Sequence, residues 1–442
     1  MSLFLFSHTV TTSYWLVVPF ALLLLLIATG PVLFPRLWHE AYKNITVALG
    51  SMVGIWYIIG FDQPHLVVES LAEYISFISL LLALYIASGG IYIFADFESK
   101  PTTNLAFLLI GAVLTNVVGT TGASILLIRP FMRLNRYRLK PYHIVFFIFF
   151  VSNIGGALTP IGDPPLFLGF LRGIPFFWTI THVFWIWLLA LIALGAVFYW
   201  LDRRNTQLDD VDISAHYTKD IIINGKRNFI WLALIVGTVF LDPNIFEGFP
   251  HIAYHGKKIS FIRELLQLSI GLACLLTANK KAMQSNDFDF EPIKEVGFLF
   301  YGIFLTMIPA LQILESIGSH GTHLSVGQSY WYTGLASSIL DNAPAFINFV
   351  TLTMSSFGFS ITDVNQVRSF VAGEQFTYIV SISIASVFFG AMTYIGNGPN
   401  FMVKSIAEKN GVKMPSFFRY ITHFSIPFLL PLLALIWLLF FI

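Results

Sequence analysis

Charge is the scarcest property of this 442-residue chain: 11% of it is Asp, Glu, Lys or Arg, while 56% is hydrophobic. A soluble domain carries roughly 25% charged residues, so the bulk of this surface is not solvated by water. Cysteine is nearly absent too. The single Cys274 sits in an apolar run and excludes an internal disulfide framework. No basic tract of nucleic-acid type occurs, and the formal net charge is +1. Gly-x-Ser-x-Gly, His-Glu-x-x-His and P-loop patterns are also missing, which removes the commonest nucleophile, zinc and nucleotide signatures of an enzyme. Nothing in the sequence calls for a cofactor.

What remains is long apolar runs. They fall near 14–34, 45–61, 75–95, 144–170, 178–201, 229–241, 261–278, 296–314, 376–403 and 417–441, and most approach the ~20 residues that a helix needs to cross a bilayer. No Lys or Arg precedes the first run, which is too long for a signal-peptide core and reads as a retained span. Two further stretches are interrupted by turn-prone residues: 104–128 by Asn116 and Gly119-Thr-Thr-Gly122, and 329–357 by Asp341-Asn-Ala-Pro344. Read as re-entrant hairpins, they divide the 25 Lys and Arg 20 to 5 between the two faces; read as spans, they leave 11 against 14. Positive charge concentrates on the cytoplasmic side. The hairpin reading is therefore preferred, with both termini periplasmic in a bacterial inner membrane.

An internal repeat supports this layout. Gly156-Ala-Leu-Thr-Pro-Ile-Gly-Asp-Pro-Pro165 aligns with Gly390-Ala-Met-Thr-Tyr-Ile-Gly-Asn-Gly-Pro399 at six of ten positions, and Asp163 is exchanged for Asn397. Upstream, Leu114-Thr-Asn116 is set against Leu340-Asp-Asn342. The expected fold is an all-α polytopic membrane protein: five transmembrane helices and a re-entrant hairpin per repeat, with two discontinuous helices. Residues 1–201 and 229–442 are the repeats, and 202–228 is a cytoplasmic linker. Five crossings is an odd number, so the second repeat is inverted, the plan of secondary transporters that work by alternating access. As one helix, 144–170 would run ~40 Å, and its Gly/Pro cluster breaks it near mid-membrane.

Asp163 precedes Pro164, the pattern of a helix N-cap followed by proline. Its counterpart Asn397 caps without a charge, so the charge is a surplus that needs another reason. Asp341, at the tip of the second hairpin and set against neutral Thr115, poses the same question. An acid at membrane depth is a functional candidate by default, and Asp163 and Asp341 are the Na⁺ candidates. Asn116, Thr120, Thr121, Asn153, Thr159, Asn342, Thr393 and Asn400 can add neutral ligands. Glu315 and Glu374 read as solvated outer ends, and Arg172 as reaching back to the interface. His251 and His255 share a helical spacing in an outer loop.

The run Ser152-Asn-Ile-Gly-Gly-Ala-Leu-Thr-Pro-Ile-Gly-Asp-Pro-Pro165 resembles the ion transporter superfamily, which includes NhaD-type sodium/proton antiporters, arsenite pumps, citrate/metal symporters and dicarboxylate carriers. Within it, the chain is similar to a bacterial branch labelled either sodium/proton antiporter or citrate transporter. The resemblance implies two hairpins, two discontinuous helices and a homodimer in the lipid bilayer, with a moving transport domain against a fixed scaffold. Asn116 and Asn342 match positions where dicarboxylate carriers place Ser-Asn-Thr triplets, but here the runs are Thr115-Asn-Val and Asp341-Asn-Ala. A carboxylate at Asp341 repels a di- or tricarboxylate unless a metal or proton intervenes. The expected activity is Na⁺/H⁺ antiport, with Na⁺ and H⁺ as transported or coupling ions. Na⁺- or H⁺-coupled citrate or dicarboxylate symport is the alternative, so the substrate is a small inorganic cation or an organic anion.

Overall fold

The structure is a computed structural model that describes residues 13–205, 218, 220–243, 245, 248–255 and 257–442. The expected linker's residues 206–217 and 219 lie outside the described residues. Helices dominate. In chain order they begin with α1 (Val18–Leu33), α2 (Pro35–Ile55), which continues as a π-helical turn to Gly60, and α3 (Pro64–Gly89). Strand β1 (Tyr92–Ala95) leads into α4 (Pro101–Leu134), followed by α5 (Pro141–Phe150), α6 (Pro164–Leu171) and α7 (Trp178–Arg203). Next come β2 (Ile221–Asn224), α8 (Arg227–Thr238), β3 (Ile252–Tyr254), β4 (Lys257–Ile259), α9 (Ile262–Thr277), α10 (Lys280–Ser285) and α11 (Glu291–Ser319). The chain ends with α12 (Val326–Ile339), α13 (Asn342–Ser356), α14 (Val364–Ala372), α15 (Phe376–Phe389), α16 (Gly398–Lys409), α17 (Phe417–Tyr420) and, after a π-helical stretch, α18 (Leu430–Phe440).

Local chemistry explains many of these starts. Helices α2 to α6 each open on proline, whose fixed φ suits the first helical turn and whose missing N–H is not needed there. Proline also disfavours helical backbone at the residue before it. Phe34, at φ −136° and ψ 54°, accordingly separates α1 from α2. Arg36 and Lys43, expected in a loop, lie instead in the first turns of α2.

Among the described residues, eight helical segments are long and apolar enough to cross a membrane: 14–31, 35–60, 64–89, 101–134, 141–158, 178–203, 291–319 and 417–440. The chain is therefore a multi-pass membrane protein. Two expected spans are shorter than a full crossing: α8 has 12 residues and α9 has 16. The acid and base at the start of α9 are buried and paired: Arg263 meets Asp242 at 2.7 Å and Glu264 at 2.7 Å, and Ser76 donates to the same Glu264 oxygen, Oε1, at 2.6 Å, while Oε2 has no partner among the described residues.

Helix α4 is not straight. Gly119, at φ 78° and ψ 159°, interrupts it in a backbone region that only glycine enters freely. A straight helix would hold Asn104 and Asn135 ~46 Å apart at 1.5 Å per residue. Their amides instead bond each other reciprocally, at 2.8 and 2.9 Å. Phe107 packs on Phe131 with ring centroids 5.4 Å apart. The chain doubles back at Gly119, so 101–134 is a helical hairpin. Helices α12 and α13 meet at Leu340 and Asp341, and His323 stacks edge-on against Phe357 at the open ends. The expected span 144–170 is divided into α5, a 3₁₀ turn over Ile154–Leu158 and α6; 376–403 is divided into α15, a 3₁₀ turn over Gly390–Met392 and α16.

These interrupted segments form the centre. Every residue from Ile144 to Val151 is fully buried, as are most of Ile379–Phe389, whereas α1, α2 and α18 keep exposed apolar faces such as Leu22, Ile55 and Leu438. A helix hydrophobic all round belongs in the interior of such a bundle. Around the centre, α2 packs on α11 and α3 on α9, so elements from early and late in the chain share one side group. At one end, β1 pairs antiparallel with β2.

The ion pairs between segments join residues within one or the other of the two Lys/Arg sets. Lys43–Glu291, Arg129–Asp287 and Arg136–Asp96 join loops of the Lys/Arg-rich set. Arg172–Glu73 at 2.8 Å and Arg263–Asp242 belong to the poor set. Arg172 is thus ion-paired and 11% exposed rather than reaching to the interface. Likewise Glu315 accepts a hydrogen bond from Ser360 at 2.7 Å. His251 and His255 do not converge: His255 stacks on His65, and His251 bonds the carbonyl of Phe249.

Candidate functional site

The two breaks are built alike. Thr159 donates to the carbonyl of Asn116 at 2.6 Å and accepts from the N–H of Gly162 at 3.1 Å. Thr393 donates to the carbonyl of Ser338 at 2.6 Å and accepts from the N–H of Gly396 at 3.1 Å. Each threonine staples its break to the neighbouring hairpin. The glycines permit a close backbone crossing: a Cβ on Gly162 would lie 2.1 Å from the carbonyl oxygen of Gly156, and one on Gly396 would lie 2.7 Å from that of Gly390.

This shared bonding fixes the correspondence between the hairpins, and it differs from the sequence register. Asn116 corresponds to Ser338, which places Thr115 with Ser337, Gly119 with Asp341 and Thr120 with Asn342. Thr115 bonds the carbonyl of Val151 and Ser337 that of Ser386, acceptors that lie one residue apart in the aligned approach to each break. The match of Leu114-Thr-Asn116 to Leu340-Asp-Asn342 is therefore one helical turn out. Neutral Thr115 is not the counterpart of Asp341; the break residue Gly119 is.

Asp163 lies where four interruptions meet. It is the N-cap of α6, at 1% exposure. Its Oδ1 accepts from the Thr120 hydroxyl at 2.8 Å and from Asn397 Nδ2 at 3.1 Å, and its Oδ2 accepts from Asn342 Nδ2. Thr120 belongs to the first hairpin, Asn342 to the second and Asn397 to the second break. Asn397 also donates to the carbonyl of Ser152 and to Asn153 Oδ1, and Asn153 Nδ2 donates to Asn400 Oδ1 at 2.7 Å. Asp163, Thr120, Asn342, Asn397, Asn153 and Asn400 thus form one buried network. Asn342 Oδ1 is buried with no partner among the described residues.

The other expected residues take different places. Asn116 is structural in its visible contacts: its Nδ2 donates to the Gly155 carbonyl at 2.7 Å, and its Oδ1 accepts from the N–H of Leu158 at 3.0 Å. Thr159 and Thr393 are the staples described above. Thr121 is half-buried, and its hydroxyl has no hydrogen bond among the described residues. Asp341 caps α13 by accepting from the N–H of Ala343 at 3.2 Å, and it shares no hydrogen-bond partner with Asp163. Sequence reasoning missed Ser124 and Ser152, whose buried hydroxyls meet at 2.8 Å beside Asn153. Ser152 precedes Asn153 in the motif, and that adjacency was the only available signal.

Apolar spans around a buried polar centre built from chain breaks define a polytopic membrane protein of transporter type. The chain belongs to the family described as "Putative citrate transport", which it matches over residues 9–441. It is also similar to a 46 kDa membrane protein of Mycobacterium leprae (strain TN), 24% identical over 341 residues that cover 73% of each chain. It is a membrane transporter.

Proposed function

We propose that the protein is a secondary active transporter in which Asp163 binds the driving or transported cation, and that it exchanges Na⁺ for H⁺ by alternating access. One observation carries this reading: a buried carboxylate bridges both hairpins and both breaks, and all its hydrogen-bond partners are neutral. Among the described residues no Lys, Arg or His pairs with it. An uncompensated carboxylate at membrane depth costs several kcal/mol, a cost relieved by a proton or a cation. Asn side chains turned by 180° present oxygen in place of NH₂, and the unpartnered Asn342 Oδ1 lies beside Asp163 ready to do so. Thr120 adds a hydroxyl oxygen. Competition of Na⁺ and H⁺ for one carboxylate is the thermodynamic core of an exchanger. Asp341 adds negative charge nearby as the cap of the second hairpin.

In this reading 101–134 and 326–356 are re-entrant hairpins, and residues 1–201 and 229–442 are inverted repeats joined by 202–228. Both termini are periplasmic in a bacterial inner membrane, and the working unit is a homodimer. Reconstituted vesicles loaded with a pH dye test the exchange. An external Na⁺ pulse should make the interior alkaline, and a pulse with no Na⁺-dependent pH change would sink the antiporter reading.

The family description favours a second reading, cation-coupled citrate symport. There Asp163 holds the coupling ion, and the positive dipole ends of α6 and α16 attract a carboxylate. Labelled citrate accumulating on a Na⁺ or H⁺ gradient, without exchange in its absence, selects this reading over antiport.

A further inference from the structure

A cavity of about 740 Å³ opens at the Lys/Arg-rich end, away from the Asp163 network. Its walls include Phe94 in β1 and Asp96 just after it, Asp287 after α10, and three arginines, Arg129 and Arg133 on the closing arm of the first hairpin and Arg136 in the turn that follows it. Two of these arginines have acidic partners. Arg136 bonds Asp96, which is 6% exposed, and Arg129 meets Asp287 at 3.2 Å through a carboxylate that is 80% exposed. Arg133 has no acidic partner among the described residues. Its guanidinium lies 4.6 Å from the centroid of the Phe94 ring. An aromatic shelf of that kind holds the planar group by cation–π attraction and leaves its N–H fork open. Three arginines against two aspartates leave one positive charge uncompensated in a cavity with an apolar wall.

We propose that this cavity binds a phosphate-bearing anion, with Arg133 as its principal ligand and Arg129 as the second. The guanidinium fork matches phosphate oxygens in a bidentate way. Arg129 can turn from its exposed aspartate at little cost, because exposed ion pairs are weak. The phosphate can belong to the headgroup of an anionic phospholipid, which Phe94 and its apolar neighbours suit, or to a free phosphate. Basic pockets between membrane helices recognise such headgroups. The site joins the first hairpin to the strand and the loop of the surrounding group, so its ligand bridges the central and peripheral helices. It does not depend on which solute is transported.

The test uses the full-length protein in phosphatidylcholine nanodiscs at constant ionic strength, with melting temperature as readout, since a ligand of the folded state raises it. Phosphatidylglycerol doped into the disc, or added inorganic phosphate, should raise the midpoint. The source is the one that does so. In Arg133→Gln the apparent affinity should fall about tenfold, the loss of one charge-assisted contact, with the unliganded midpoint lowered only slightly, since the Phe94 contact is lost but no ion pair is broken. Arg133→Lys, which keeps the charge and loses the fork, should fall between the two. Should Arg133→Gln fail to fold, Phe94→Leu removes the shelf instead and should weaken the same ligand. If neither phosphate source raises the midpoint, or if the variants bind as tightly as the parent, the proposal is overturned.

Discussion

Replacing Asp163 by asparagine removes a charge while keeping the shape, and the geometry predicts how each contact responds. In Asp163→Asn one oxygen remains to accept from Thr120 and Asn397, while the new NH₂ faces the NH₂ of Asn342. That opposition is removable: Asn342 turns by 180° and offers its Oδ1, which has no other partner. Three charge-assisted hydrogen bonds become neutral, a loss of roughly 1 kcal/mol each, or about 3 kcal/mol in all. The relief from no longer burying an ionised carboxylate is also about several kcal/mol. The two terms nearly cancel, so the variant should fold with a melting temperature within a few degrees of the parent. Ion binding has no such compensation. Loss of a charged ligand worth about 2–3 kcal/mol weakens it about 30–150-fold. In vesicles the Na⁺-driven pH signal should therefore nearly vanish at Na⁺ concentrations that saturate the parent. Moving the charge to the matching break in the double variant Asp163→Asn/Asn397→Asp should restore part of it. Parental exchange by Asp163→Asn would refute the argument and leave Asp163 as a helix cap only. Collapse of the fold would refute the hydrogen-bond accounting.

Other perturbations probe the framework. Gly162→Ala forces a Cβ to 2.1 Å from a backbone oxygen that cannot rotate away; it should cost about 3 kcal/mol, the upper end of overpacking, and be read as a lowered melting temperature, with Gly398→Ala, where a Cβ meets nothing within 4 Å, as the contrast. Asp202 is buried and accepts from Arg138 at 2.5 Å, Tyr142 at 2.6 Å, His143 at 3.0 Å and Asn104 at 2.9 Å. Asp202→Ala strands Arg138 in the interior and should destabilise by about 3–5 kcal/mol, visible as aggregation on detergent extraction. Cysteines at Phe107 and Phe131, in a Cys274→Ala background, should be joined by a short bifunctional thiol reagent; a straight helix would hold them ~36 Å apart, and failure to cross-link would exclude the hairpin. Burial acts to raise the Asp96 carboxyl, but hydrogen bonds from Arg136 and Thr218 outweigh it and hold the group below the ordinary carboxylate range. A depressed folded pKa contributes stability that is complete above the unfolded value, about 3.9, and lost as pH falls through the folded one. Protection against hydrogen exchange at 221–224, taken relative to the intrinsic rate at each pH, should fall over that acid window in the parent and change little in Asp96→Asn.

Much of the architecture was legible because backbone-breaking residues are few and specific. Gly156, Gly162 and Pro164, with Gly390, Gly396 and Pro399, mark both breaks, and the breaks occur there. Asp163 was legible as the acid within one of them. The hairpin register was not. One hairpin turns on a glycine at positive φ, Gly119, and the other on an aspartate cap, Asp341. These are different solutions to one geometry, so identity of residues misaligns them by one turn. The meeting of Thr120, Asn342 and Asn397 around Asp163 joins positions 43 to 234 residues apart, a distance over which local pattern carries no signal. The Asn104–Asn135 lock at the base of the first hairpin was hidden for the same reason. Both residues read as ordinary polar flanks until the chain is folded back.

The β1–β2 ladder has a kinematic consequence. The peripheral group, α1–α3 with α8, α9 and α11, and the central group of hairpins, breaks, α7 and α18 are joined in sequence at three points: 90–100, the connection from α7 to α8, of which 220–226 are described, and 320–325. Strands 92–95 and 221–224 are parts of the first two crossings, and they are hydrogen-bonded to each other in register, Tyr92 opposite Asn224 through Ala95 opposite Ile221. Two of the three tethers are thereby spliced into one. A displacement of either group against the other cannot load these tethers separately, so the pair behaves as a single pivot at the arginine-rich end. The remaining tether, 320–325, lies at the opposite end, where Gly321 takes a positive φ of 91° and a side chain at its position would meet nothing within 4 Å. One end of the protein is built as a coupled joint and the other as a looser link, so the alternating access proposed above would turn the two groups about an axis drawn toward the joint.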